Sequence, residues 1–294
     1  MPGANHRTWQ PWIGRVRDLP VRVLFPNLSF LKIPMEINLN QQRILVTGAN
    51  SGIGAAIVRE LAASGARVAV NYVVHPEATE ALLTELRANG AEAVGVQADV
   101  SDPAQVTAMY AQLDQHWGGI DALINNAGID GAQALAWNAD PVAWDRVLRV
   151  NLFGSFLCAR GALQRMVPQK SGVILNMSSV HERIAWSGFS AYTASKAGLA
   201  MMTQTLAQEA APFGIRVLAL APGAIRTPIN QNVWDNPDSL RDLLTKIPLG
   251  RMGEAVEIAR VATFLVSGMA SYMTGSTVFC DGAMSDYPEF AHGG

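Results

Sequence analysis

Cysteine, charge and long apolar runs are all scarce in this sequence. Its two cysteines, Cys158 and Cys280, lie far apart in apolar surroundings. A disulfide framework is not expected from them, and two buried thiols in a reducing cytoplasm are. No apolar run reaches the roughly 20 residues that span a bilayer, so no membrane partner is expected. The five histidines, His6, His75, His116, His181 and His292, show no ligand spacing, which predicts no catalytic metal. Charged residues are only 16% of the chain and the net charge is -2, which gives nucleic acid no electrostatic reason to bind. What the 294 residues do supply is 49% hydrophobic content, enough for one well-cored α/β domain.

The opening segment differs from the rest. Residues 1–34 carry five basic residues, five prolines and two tryptophans, with no signal-peptide core. A flexible arm, a targeting segment and an upstream start codon are the three readings. The last fits best, because Met35 opens a short polar lead-in to the first strand, leaving 35–294 as one domain.

From Arg43 onward, β-branched runs alternate with alanine-rich helical segments. Strands are expected at Arg43–Thr47, Arg67–Tyr72, Ala93–Gln97, Ala122–Asn125, Gly172–Met177, Ile215–Ala221 and Thr277–Cys280. Helices are expected at Gly52–Ser64, Pro76–Asn89, Pro103–His116, Pro141–Val167, Ala191–Ala211 and Glu254–Val266. Strands apolar on both faces, joined by right-handed helical crossovers, imply a Rossmann-like, doubly wound, seven-stranded parallel sheet with helices on both faces. Ligands of such sheets bind beyond the carboxyl ends of the strands.

The first of those ends carries Thr47-Gly48-Ala49-Asn50-Ser51-Gly52-Ile53-Gly54. Glycines at a strand-to-helix junction let the backbone turn sharply and approach a pyrophosphate resting on the helix N-terminus. Asp99-Val100 ends the third strand, where a carboxylate can accept from an adenine amino group. Asn125-Asn126-Ala127-Gly128 ends the fourth, with small residues for close backbone passage. The second strand ends in Asn71-Tyr72-Val73-Val74-His75, lacking both the acid that selects NAD and an arginine that greets a 2'-phosphate. The choice between NAD and NADP stays open.

Tyr192 and Lys196 stand four apart at the start of a helix and so share a face. A free tyrosine titrates at about 10, and a neighbouring ammonium favours the phenolate. A fall of about 3 pH units, roughly 4 kcal/mol, would make it a general base near neutrality. Ser178-Ser179 ends the fifth strand, where a hydroxyl can hold a reacting oxygen. Asn151 sits within a predicted helix although asparagine forms helices poorly, which calls for a polar reason. Ala221-Pro222-Gly223 ends the sixth strand with Ile225 and Thr227 just beyond, within reach of a nicotinamide ribose or carboxamide.

Together, Thr47-Gly48-x3-Gly52-x-Gly54, the Asn125–Gly128 run, Asn151, Ser179, Tyr192-x3-Lys196 and Pro222-Gly223 resemble the short-chain dehydrogenase/reductase family over about residues 36–294. The resemblance implies an NAD(P)-dependent oxidoreductase. Tyr192 would be the acid/base, Lys196 would lower its pKa and bind the nicotinamide ribose, Ser179 would orient substrate and Asn151 would hold a relay water. It also implies that the Pro141–Val167 and Ala191–Ala211 helices pack between subunits of a homodimer or homotetramer.

A narrower resemblance, to the glucose 1-dehydrogenases within that family, rests on Asn176 to Glu182, Trp186, Pro222 to Asn230, Ile247 to Gly250, and the tail Asp281-Gly282-x-Met284-x2-Tyr287-Pro288-x-Phe290. It implies a sugar or polyol substrate, or the corresponding ketone, met by His181, Trp186 and Asp130, the last standing where those enzymes carry a glutamate. Arg183, Ser187, Gly188, Ser190 and Gly131-Ala132-Gln133 depart from that pattern around the pocket. A helix- or loop-capping role for His181 is the plain alternative. Residues Ile225–Gly250, with a turn and helix start at Asn236-Pro237-Asp238, are expected to form a lid. Two other readings remain: a reductase of carrier-bound 3-oxoacyl groups or other ketones, which would want a basic patch near the pocket with Arg183 as its one candidate, and a nucleotide-sensing protein without catalysis.

Overall fold

A computed structural model of the chain describes residues 37–286. The extension to residue 34, the start at Met35 and the tail positions Tyr287, Pro288 and Phe290 lie outside them.

Seven strands form one parallel sheet: β1 (Arg43–Val46), β2 (Arg67–Tyr72), β3 (Ala93–Gln97), β4 (Ala122–Asn125), β5 (Gly172–Met177), β6 (Ile215–Pro222) and β9 (Thr277–Cys280). Their order is β3-β2-β1-β4-β5-β6-β9, so the winding reverses between β1 and β4. That reversal opens the crevice in which doubly wound sheets bind ligands. A second, two-stranded ladder pairs β7 (Ile225–Arg226) with β8 (Gly253–Glu254), joining the two ends of the segment that follows β6.

Strand periodicity sorts the core into two layers. Ile44, Val46, Val68, Val70, Leu218 and Leu220 pack on one face beneath α1 (Gly52–Ala63), α2 (Pro76–Ala88) and α9 (Ala255–Val266). The alternate residues Leu45, Ala69, Leu123, Ile174 and Val217 pack on the other beneath α3 (Pro103–Trp117), α5 (Ser155–Gln169) and α6 (Ser190–Ala210). Asp102 and Asp140 cap α3 and α4 (Pro141–Leu148) by accepting from the first backbone amides, each ahead of a proline in the first turn. Asn236 does the same for α8 (Pro237–Leu244), which follows the short α7 (Gln231–Trp234).

The structure corrects one element. The expected helix Pro141–Val167 is two helices, α4 and α5, joined by a π-helical turn over Arg149–Gly154. A π-turn inserts one extra residue into the helical repeat, which residue spacing does not reveal. Asn151 lies in that turn.

No helix among the described residues is long and apolar enough to cross a membrane. Both cysteines are free, and burial pushes the Cys158 thiol up to about 12. The α3–α5 contact is close enough that a Cβ at Gly161 would overlap the Tyr110 ring, whose hydroxyl donates to the Cys158 carbonyl at 2.6 Å. Gly161→Ala should therefore destabilise the fold by about 1–3 kcal/mol through overpacking, read as a lower denaturation midpoint at unchanged m-value.

Candidate active site

The glycine turn is fastened from three strands. Gly48 adopts φ +57°, and a Cβ there would lie 2.9 Å from the Ala127 Cα, so only glycine lets β1 and β4 come this close. The Thr47 hydroxyl accepts from the Asn126 and Ala127 amides at 2.9 and 3.0 Å, while Asn126 Nδ2 donates to the Thr47 and Gly48 carbonyls, both at 2.9 Å. From β2, buried Asn71 accepts from the Gly48 amide and donates to Val96 and Ala98. Asn71 was not foreseen as a site residue, although an amide inside a strand runs against strand preference and is itself the signal. Asn50 donates to the Val74 and His75 carbonyls and pins the loop after β2 against the turn.

Around this turn the expected nucleotide residues gather, with differences. Ser51 precedes α1 without using its hydroxyl as a cap, so the helix N-terminus keeps amide donors. A Cβ on Gly52 would meet Thr227 at 3.7 Å, which brings the end of β7 beside the turn, and Gly54 packs on Asn126. Ile53 is half-buried and packs against the core, and Tyr72 is half-buried with its ring near Gly95. Asp99 already holds protein groups: its oxygens accept from the Ser101 amide and hydroxyl and, at 2.8 Å, from Arg146. Val100 is buried against Gly154 of the π-turn, and Ile225 is buried in the core, so both can serve a ligand only through the backbone. Gly223 packs on Asp281 beyond the end of β9, and Pro222 closes β6.

The other half of the site lies over the ends of β4 and β5. Lys196 is buried, and its Nζ donates to the Met177 carbonyl at 2.8 Å while lying 5.5 Å from the centre of the Tyr192 ring. Ser179 caps a 3-10 turn (Val180–Glu182) by accepting from the His181 amide, and its hydroxyl stands near enough to Tyr192 to favour the ionised phenol. Gly128 sits where a Cβ would be 3.4 Å from Asn151 Oδ1 and 3.7 Å from Lys196 Nζ. The structure thus brings Gly128, Asn151, Ser179, Tyr192 and Lys196 into one cluster. Asn151 is engaged by protein: Oδ1 accepts from the Ile129 amide at 2.8 Å, and Nδ2 donates to the Ile129 carbonyl and to Ser195 Oγ at 2.9 and 3.0 Å. Its side chain clamps the loop after β4 and has no donor left for a water.

The expected depression of the phenol pKa is not what the geometry gives. Burial pushes Tyr192 up to about 12, outweighing the lowering influence of the nearby Ser179 hydroxyl, and the Asp130 carboxylate adds to the rise. Burial likewise brings Lys196 down to about 8 against the pull of Asp130 and Glu182. Glu182, unforeseen as a site residue, accepts from Ser178 Oγ at 2.6 Å and so ties the 3-10 turn to the end of β5.

Toward the substrate side, His181 stacks on Trp186 with ring centres 4.5 Å apart, and Tyr192 stands edge-on to both at 6.2 and 5.8 Å. Trp186 also stacks on Phe189 at 3.9 Å. His181 Nδ1 lies 3.0 Å from the Ile184 carbonyl, which can only accept, so Nδ1 carries the hydrogen and Nε2 is an acceptor. Burial lowers the His181 pKa and keeps the ring neutral at pH 7. Asp130 has its pKa raised by burial, offset by Lys196 and His181, which places its carboxylate among these groups. Arg183, by contrast, lies with its guanidinium 4.2 Å over the Phe279 ring.

These residues fit a bound dinucleotide. The glycine cradle leaves no side chain where a pyrophosphate would rest, α1 offers its uncapped N-terminus, and the buried Lys196 ammonium has one protein acceptor for three hydrogens.

Comparison with known proteins agrees with this geometry. A family model described as enoyl-(acyl carrier protein) reductase matches residues 48–285. Among characterised proteins, 3beta-hydroxysteroid dehydrogenase 1 of Eggerthella lenta is 41% identical over 257 residues, covering 87% of this chain and 98% of that protein. Glucose 1-dehydrogenase 2 of Bacillus subtilis is 39% identical, covering 85% and 97%. The 3-oxoacyl-[acyl-carrier-protein] reductase FabG of Staphylococcus aureus is 40% identical, covering 82% and 96%. The crystal structure of a gluconate 5-dehydrogenase from Burkholderia cenocepacia, in complex with NADP and tartrate, superposes with a TM-score of 0.81 at 32% identity, covering 85% of this chain and 97% of that one.

The buried ammonium makes a testable demand on stability. Lys196 titrates at about 8 in the folded chain against 10.5 when exposed, so the unfolded chain binds the extra proton and the fold gains stability as pH rises through that interval. Lys196→Met should stabilise the protein at pH 7 by on the order of 3 kcal/mol, less the lost bond to Met177, and the gain over wild type should vanish by about pH 10.5. Denaturant titrations at both pH values measure it.

Proposed function

This chain belongs to the short-chain dehydrogenase/reductase family of NAD(P)-dependent oxidoreductases, and we propose that within it the enzyme oxidises a secondary hydroxyl of a sugar or polyol, or reduces the matching ketone. The observation that carries this reading is a pair of acceptors beside the phenol. His181 Nε2 and the Asp130 carboxylate are half-buried acceptors open to donors from a ligand, since no donor to the Asp130 carboxylate occurs among the described residues. A polyhydroxylated substrate brings such donors; an acyl chain does not. The exposed edge of Trp186, whose faces are stacked on His181 and Phe189, offers apolar contact for the ring carbons of the same substrate. The names of three relatives, hydroxysteroid, glucose and gluconate dehydrogenase, point to alcohol oxidation too.

In this reading the Tyr192 phenolate takes the hydroxyl proton as the carbinol hydride leaves, becoming the phenol, and the phenol returns that proton in the reverse direction. Ser179, whose hydroxyl lies near Tyr192, holds the reacting oxygen. Lys196 supplies positive charge beneath the phenol, which favours the ionised form as the proton arrives and departs, and its hydrogens not given to Met177 would hold the nicotinamide ribose. The nicotinamide supplies the hydride acceptor and, when oxidised, a positive charge. Asn151 acts by fixing Ile129, and with it the approach of Asp130 and Gly128, rather than by holding a relay water with its side chain. Either NAD or NADP suits the end of β2, where His75 begins α2 in a left-handed conformation and pairs with Glu77 at 3.1 Å. Exposed Phe153 in the π-turn, Phe156 on α5 and Met201 on α6 support self-association through these helices, as a homodimer or homotetramer.

The rival substrate, a carrier-bound 3-oxoacyl group, draws support from the FabG relative. The one candidate for its basic patch, Arg183, lies over the Phe279 ring.

Two measurements test the proposal. Tyr192→Phe should lower kcat by at least about a hundredfold while cofactor affinity, read by nucleotide fluorescence, stays within about twofold; unchanged turnover would remove Tyr192 as the acid/base. In steady-state assays of aldoses, polyols and acetoacetyl thioesters with both cofactors, sugars or polyols should give the higher kcat/KM. Asp130→Asn and His181→Phe should then each raise KM for the polyol by about tenfold, and a thioester preference over all sugars would reject the substrate assignment.

A further inference from the structure

Helix α6 carries Tyr192 and Lys196, and it meets the end of β5 at two points two helical turns apart. One is the Lys196 bond to the Met177 carbonyl. The other is made by the residue before Met177: Asn176 Nδ2 donates to Thr203 Oγ1 at 2.8 Å, and Thr203 Oγ1 donates to the Leu199 carbonyl at 2.9 Å. Asn176 is fully buried and Thr203 is 1% exposed, so neither has solvent as an alternative partner.

The second point belongs to a longer chain of buried groups. Asn125 Nδ2 donates to Asn176 Oδ1 at 2.9 Å and to the Ser155 carbonyl at 3.1 Å, and Ser155 Oγ donates to the Asn151 carbonyl at 2.8 Å. Asn151 in turn reaches Ser195 Oγ, which donates to the Tyr192 carbonyl at 2.7 Å. The path runs from the π-turn through β4 and β5 to α6, and returns to the π-turn through Ser195. It encloses Lys196. A loop of amide and hydroxyl groups is a costly thing to bury; apolar side chains would pack these strands and helices as well, and only a polar loop fixes their relative rotation and height.

We propose that Asn176 and Thr203 are positioning residues for the reaction, setting the height of α6 on β5 so that the Tyr192 phenol and the Lys196 ammonium meet the substrate in register. Lys196 is left to hold one carbonyl only, with its other hydrogens available to the site. Relaxing the Asn176–Thr203 contact lets α6 slide against β5, which misplaces the reacting groups while leaving the glycine cradle intact. This inference rests on the oxidoreductase reading above for its kinetic readout, and has a second readout that does not.

Thr203→Val keeps the shape and removes the hydroxyl; Thr203→Ser keeps the hydroxyl. The valine variant should lose at least about tenfold in kcat, with KM for alcohol and cofactor within about twofold, and the serine variant should recover most of it. Hydrogen exchange of the amides of Lys196 to Leu199 should quicken in the valine variant and not in the serine variant. If the valine variant does not fold, Thr203→Cys, a weak donor of similar size, takes its place in the same comparison. A valine variant that melts earlier but keeps kcat, a serine variant no better than valine, or unchanged exchange at Lys196 to Leu199 overturns the proposal. Should the wild-type protein oxidise none of the panel alcohols, the substrate reading fails and exchange alone decides this one.

Discussion

A lysine ammonium held inside the protein, with one carbonyl for a partner, is the constraint on which the rest of this structure depends. Burial disfavours its charge and pulls its pKa to about 8, while the phenol beside it is pushed to about 12. Each group is thus biased toward its neutral form, and the charged pair that proton transfer requires is stabilised only by what surrounds it. Asp130, Glu182 and the fixed Met177 carbonyl favour the ammonium, whereas the Ser179 hydroxyl favours the phenolate and Asp130 opposes it. At neutral pH the lysine of such a site carries its charge and the phenol does not, so the ammonium is in place when a substrate proton moves.

The sheet explains why so few residues suffice. Because all seven strands are parallel, their carboxyl ends face one way, and every site residue is placed by a turn that leaves the same edge. β1 and β4, neighbours where the winding reverses, bring the glycine turn against Ala127. β5 brings Ser179, and α6 returns beneath it with Tyr192 and Lys196. The two halves share Gly128, which touches both Asn151 and Lys196.

Much of this was legible in the residues. Short apolar runs between glycines and prolines located all seven sheet strands to within a residue, because a strand buried on both faces leaves little room for ambiguity. The glycine turn and the Tyr192–Lys196 spacing pointed to the right edge for a physical reason, the positive φ and close approach at Gly48 and the shared helix face. Other features left no local trace. The π-turn at Arg149–Gly154 adds a single residue within a sequence that reads as continuous helix. The β7–β8 ladder has only two residues per strand, too short for any periodicity. The direction of the Tyr192 shift depends on burial by residues distant in sequence, so spacing alone gave the wrong sign. Asn71, Asn125 and Asn176 were visible as amides in strands, and only the tertiary contacts show which partners made them worth keeping there.

The extra residue in the π-turn also sets the orientation of everything after it. An α-helix advances about 100° per residue, so removing one residue from Arg149–Gly154 would let α4 run into α5 as one continuous rod with all its backbone bonds intact. It would also turn α5 about that far around its axis, swinging Cys158, Ala162 and Met166 out of the layer they fill. The bulge is therefore a phase adjustment between two helices that face different neighbours, and the chain's length at this point is as fixed as its chemistry.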